Sequence, residues 1–117
     1  MNDIDIYLKK ITEEDRCLKL LQVINYMRKN YKDLLESCDY GPKTKFPTFK
    51  NYDESNYFSI ANQKNYISLH FGRYHCVEEI AKVDSRIKTG VGCVKIPDSV
   101  TFPIVEIKKG ISNCFNE

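Results

Sequence analysis

The side chains best suited to chemistry fall in two stretches. In residues 57–71, Tyr57, Ser59, Tyr66, Ser68 and His70 sit at alternate positions of two β-prone runs. In extended strands that spacing puts them on one side of a sheet. Phenol rings, hydroxyls and an imidazole on one surface can hold a small ligand by stacking and hydrogen bonding. The second stretch is Lys88-Thr89-Gly90-Val91-Gly92-Cys93, whose backbone N–H groups can cradle a phosphate or carboxylate. Cys93 and Lys95 join the first surface if their strand pairs alongside. Tyr40, with Phe46 and Phe49, flanks a Gly-Pro turn and can line a groove. The candidate ligand-binding set is therefore Tyr40, Tyr57, Tyr66, His70, Lys88, Gly90, Gly92 and Cys93.

Each candidate also has a purely structural reading. Tyr and Ser suit the solvated or helix-covered side of amphipathic strands. The two glycines serve a tight helix-to-strand connection, and Tyr40, Phe46 and Phe49 can anchor their turn to the core. His70 can act as a general base or as a metal ligand beside Cys93, yet no local cluster of His, Cys and carboxylate surrounds it. His75 and Cys76 are adjacent in sequence and would diverge on a helix. The glycine stretch lacks the Walker A frame, and there is no nucleophile elbow, H-E-x-x-H or paired-carboxylate signature. No catalytic residue is assigned on this basis. The acidic groups Glu13-Glu14-Asp15, Asp53-Glu54 and Glu78-Glu79 are weak iron ligands at best. The first suits a helix start and the last a solvated helix face.

The elements that must position these groups are read from periodicity. Ile4, Leu8 and Ile11 predict a short helix over residues 3–11. Thr12 caps a second helix, with Cys17, Leu20, Leu21, Ile24, Met27 and Tyr31 on one stripe, broadened by Leu18 and Val23. Asn30 can end it, and residues 31–37 can add another turn or two. A turn follows at residues 39–42, then an edge strand over residues 44–49, placed at the edge because Pro47 cannot donate to a central ladder. Residues 57–62 and 66–71 form a hairpin about Gln63-Lys64, with Ile60 opposite Ile67. That register sends Phe58, Ile60, Ile67, Leu69 and Phe71 inward. Cys76, Val77, Ile80 and Ala81 mark a helix of two to three turns. A strand covers residues 93–96, and Pro103 starts a last helix with Ile104, Ile107 and Ile111 on one stripe. Helices at both ends with strands between them predict an α+β two-layer sandwich, a small antiparallel sheet packed with those helices.

Size and charge narrow the function classes. The 117 residues suit a single domain spanning 1–117. A balance of 18 basic against 16 acidic residues leaves +2, too little to predict nucleic-acid or membrane-surface binding. No apolar run reaches the roughly 20 residues of a membrane span, and no signal peptide is readable at the N-terminus, so a cytoplasmic location is expected. The five cysteines have no C-x-x-C spacing and read as reduced, mostly structural thiols.

The order of segments resembles the YdhG-like family, a domain of unknown function with a bacterial member regarded as a frataxin-like iron chaperone. The resemblance runs through Ile4-Asp5-Ile6-Tyr7-Leu8, the motif Tyr40-Gly41-Pro42-Lys43, the hairpin, Gly90-Val91-Gly92-Cys93 with its strand, and the last helix. It covers nearly the whole chain. It implies a small cytoplasmic iron carrier or iron–sulfur assembly accessory protein, with iron as its cargo and iron–sulfur assembly proteins as partners. The slightly positive charge and Val91, standing where relatives often carry lysine, depart from that pattern. The alternative is a small-ligand or protein-interaction module using the polar side of the hairpin. An enzyme built on Cys93 or His70 ranks third.

Overall fold

In the computed structural model, residues 2–40, 46–53 and 55–115 are described, apart from the side chains of Asp39, Tyr40, Tyr74 and His75. Helix α1 (Asp3–Lys9) starts at Asn2, whose side chain accepts from the Asp5 N–H at 3.0 Å. Ile4 and Leu8 are its buried residues. Thr12 does not cap helix α2 (Glu14–Asn30): its hydroxyl is turned to the Glu13 carboxylate, and Glu13 precedes the helix without a side-chain cap. Glu14 and Asp15 open α2, and Arg28 and Lys29 close it, which suits the helix dipole. The helix buries Leu20, Val23, Ile24 and Met27. Leu18, expected to widen that stripe, is 56% exposed, and Arg16 takes the inward position one turn before Leu20.

The segment after α2 is not further helix. Strand β1 (Leu35–Tyr40) begins there, with Glu36 opposite Phe49 and held by Arg28 at 2.7 Å. Cross-strand pairing and this ion pair outweigh local helix propensity. Strand β2 (Phe46–Lys50) lies between β1 and β3, so it is not the edge strand expected from Pro47. The β1–β2 register shifts between Ser37 and Tyr40, and β2–β3 pairing begins at Thr48. Pro47 thus sits at an irregularity where no ladder N–H is required of it. Of the turn expected over residues 39–42, residues 39 and 40 instead end strand β1, and Gly41 and Pro42 lie outside the described residues.

Strands β3 (Tyr57–Asn62) and β4 (Tyr66–Phe71) match the predicted hairpin, but Ile60 faces Leu69 rather than Ile67. Gln63 N–H donates to the Tyr66 carbonyl at 3.0 Å, so the turn is Lys64-Asn65 and not Gln63-Lys64. The slip is two residues, one full pleat, so no side chain changes face. Phe58, Ile60, Ile67, Leu69 and Phe71 are all at most 1% exposed.

A 3-10 turn (Tyr74–Val77) leads into a single turn of helix, α3 (Glu78–Ala81), shorter than predicted. The glycine stretch is a hairpin rather than a helix-to-strand connection: strand β5 (Lys88–Gly90) turns through Val91-Gly92 into strand β6 (Cys93–Pro97). Gly92 has φ 66°, a conformation that a residue with a Cβ adopts at a cost. Helix α4 (Ile104–Phe115) follows Pro103 and buries Ile107, Gly110, Ile111 and Cys114. A Cβ on Gly110 would lie 2.9 Å from the Cys76 carbonyl oxygen, so glycine lets α4 settle against the 3-10 turn.

All strand pairs are antiparallel, in the order β1-β2-β3-β4-β6-β5. The inward side chains of the strands and the buried sides of the helices form one core. This is the predicted α+β sandwich of one sheet layer and one helix layer. Among the described residues, no helix is long and apolar enough to cross a membrane.

Candidate functional site

Alternation along five neighbouring strands lines up the side of the sheet turned away from the core. Along β6, Val94 and Ile96 are buried while Cys93 is half-buried and Lys95 exposed. One cross-strand row runs Thr48, Ser59, His70, Cys93 and Gly90. The next runs Ala61, Ser68, Lys95 and Lys88, and Tyr66 pairs with Pro97 beyond it.

The small polar groups nearest β2 are engaged with each other. Ser59 donates to the Pro47 carbonyl at 2.9 Å, and Thr48 Oγ1 lies 2.9 Å from the Phe46 carbonyl oxygen and 3.2 Å from Ser59 Oγ. Both residues are buried, and they make this end of the face structural. Toward β4 and β6, Ser68 is also buried, while Tyr66, His70 and Cys93 are half-buried and Lys95 is exposed. His70 Nε2 pairs with Ser68 Oγ at 3.1 Å, and the Phe46 ring lies parallel to the imidazole with centroids 6.4 Å apart. The Lys95 ammonium sits 5.6 Å from the centroid of the Tyr66 ring, a cation–π contact.

Burial, and then the charge of Lys95, hold the His70 pKa below its ordinary value, so the imidazole is neutral near pH 7. Burial pushes the Cys93 thiol up, and Lys95 only partly opposes it. Burial therefore favours the neutral, less nucleophilic thiol at Cys93.

The structure gathers Tyr66, His70, Cys93 and Lys88 of the predicted set around Lys95. Gly90 and Gly92 shape the adjoining hairpin: Gly90 pairs with Cys93, and the Gly92 carbonyl accepts from Phe71 N–H at 2.7 Å. Tyr57 stands near Gly72 at the far end of the hairpin, roughly 20 Å from Tyr66 at the usual strand rise. The two tyrosines do not share a ligand-sized site. The side chain of Tyr40 lies outside the described residues, while its backbone pairs with Phe46 at the end of β1.

Sequence reasoning did not find the direct Lys88–Lys95 pairing. The signal was present: a turn ending in glycine between β-prone residues marks a two-residue hairpin, and such a turn sets Gly90 opposite Cys93 and Lys88 opposite Lys95. It also passed over Arg16. That residue is 4% exposed, and its guanidinium bonds Asp98, Asn62 and the Gln63 and Lys64 carbonyls, clamping α2 to the β3–β4 turn.

Iron calls for several converging carboxylate, imidazole or thiolate donors. Among the described residues, no three His, Cys, Asp or Glu side chains are grouped so that they could hold a metal ion. His70 and Cys93 contribute two donors without a third among the described residues, which do not fit an iron cage. A cleft of about 290 Å³ at another end of the molecule is lined by Asn30, Tyr31, Asn51, Asn56, Arg73 and Phe115. Its amides are already engaged: Asn51 bonds Ser55 and the Asn56 N–H, and Asn56 bonds the Cys114 carbonyl.

No family model matches the sequence, and no curated protein matches it. Among solved structures, the chain is similar to the crystal structure of YdhG from Bacillus subtilis, a protein of the DUF1801 family. The TM-score is 0.66 at 12% identity, over 93% of this chain and 86% of that one. At that identity the likeness establishes a shared YdhG-like fold.

Proposed function

We propose that this chain is a small binding protein whose working surface is the Tyr66–Ser68–His70–Cys93–Lys95 side of the sheet. The observation that carries this reading is the convergence, on two neighbouring strands, of an aromatic wall, a hydroxyl–imidazole pair and an ammonium group on the side away from the helices. Small-ligand sites combine an aromatic surface with a few placed polar groups of this kind. The iron-carrier role implied by the family resemblance ranks behind it, because the donors that iron requires are not grouped there. An assembly-protein partner would follow only from that role.

A fragment screen read by protein NMR tests the reading. Small aromatic acids, amides and alcohols should move the amide resonances of Tyr66, Ser68, His70, Cys93 and Lys95 together. Tyr66→Ala should abolish those shifts while leaving the circular dichroism spectrum unchanged. Shifts confined to the cleft beside Asn56 and Arg73, or no shifts from any fragment class, would remove this face as the binding site.

A further inference from the structure

We infer that the ligand of this face carries a phosphate or carboxylate, held between Lys88 and Lys95 beside the Tyr66 ring. The inference rests on the reading above and adds the chemical class of the ligand. Lys88 and Lys95 are directly opposed across the β5–β6 ladder, which sets their Cβ atoms about 5 Å apart. Like charges in that position oppose strand pairing. Among the described residues, no carboxylate lies within ion-pair distance of either lysine. Arg16 and Arg28, by contrast, each have two, and Arg86 has one.

The surroundings suit an anion attached to a flat group. The Tyr66 ring beside the Lys95 ammonium offers a stacking surface, and the buried Ser68 hydroxyl, next to Lys95 in the ladder, is taken up by His70 and Gln63. The charge of Lys95 already reaches the two half-buried titrating groups beside it, lowering the proton affinities of both His70 and Cys93. A bound anion offsets that field at His70. The protonated imidazole is then easier to form, and the change reports on occupancy without any assay of activity. Among the described residues, the groups beside His70 include Ser68 on its own strand, Phe46 of β2, Ser59 of β3, and Cys93 and Lys95 of β6.

The test uses three ring compounds of similar size, titrated into the full chain at low salt and followed by NMR: benzoate, phenyl phosphate and the uncharged benzamide. At least one anion should bind ten-fold or more tightly than benzamide, shift the Lys88, Lys95 and Tyr66 resonances, and raise the His70 pKa at saturation. The Lys88→Gln/Lys95→Gln variant should lose that ten-fold preference while keeping its fold. Tighter binding of phenyl phosphate points to a phosphorylated ligand, and tighter binding of benzoate to a carboxylic acid. Benzamide binding as well as both anions would overturn the anionic assignment and leave the ligand face standing. An undiminished anion preference in the double variant would overturn it too. Silence of the face toward all three compounds would remove both the assignment and the binding reading beneath it.

Discussion

Arg16 and the Lys88–Lys95 pair place positive charge in opposite circumstances. Arg16 is nearly inaccessible, and each of its five N–H donors is used, on the Asp98 carboxylate, the Asn62 side chain and the Gln63 and Lys64 carbonyls. The lysines are exposed, adjacent and without a carboxylate partner among the described residues. A buried cation survives only when its donors are satisfied, so Arg16 belongs to the fold's own structure. Setting two surface cations opposite each other weakens the ladder by mutual repulsion, even with Lys95 resting over the Tyr66 ring. Charge that the fold does not use is where a ligand is to be sought.

Breaking the satisfied side of this contrast should have the largest effect. Arg16→Leu strands two carbonyls, an amide oxygen and a carboxylate. Asp98 is half-exposed and can rehydrate, so the loss should fall near the low end for a broken buried pair, about 3 kcal/mol in urea denaturation. A loss below about 1 kcal/mol would mean that the clamp is no more structural than a surface contact.

The intermediate effect is a pH dependence from the ligand face. The folded protein holds the His70 pKa below its ordinary 6.5, so the unfolded chain binds that proton more readily. The stabilisation by neutral His70 is complete above pH 6.5 and is lost as pH falls through that value toward the folded pKa. Urea midpoints should therefore drop between pH 7.5 and 5.5, and His70→Gln should flatten the drop. An identical pH profile in the variant would show that the imidazole is not held in the neutral form.

The smallest effect sharpens the unsatisfied side. Lys88→Gln removes the cross-strand repulsion and should stabilise the fold by about 0.2–0.5 kcal/mol at low ionic strength, after allowing for solvent screening. Near 1 M salt, where the Debye length is about 3 Å, the gain should vanish. A destabilised variant would show that Lys88 has a structural partner after all.

Much of the scaffold was legible from residue order. The stripe Leu20, Ile24 and Met27 has the helical period, and the two hairpin strands have the period of two, so both appear with their core sides as read. Misreadings arose where partners distant in sequence intervened. Residues 35–40 became a strand because Phe49 and Arg28 both engage Glu36. Pro47 entered an inner strand because a register shift in β1–β2 pairing accommodates it. Tyr57 and Tyr66 share a face, as alternation demands, but six residues of strand length separate their rows. Facing was readable and proximity was not.

The order of residues alone determined which side chains leave the sheet together, because a strand repeats every two residues and even a full-pleat slip preserves the face. Folding decided which of them meet. Lys88 reaches Lys95 through the local Val91-Gly92 turn, but β6 lies beside β4 through contacts that span some 25 residues of chain. That placement depends on the closure of the whole core, and it sets the lysine pair next to Tyr66 and His70.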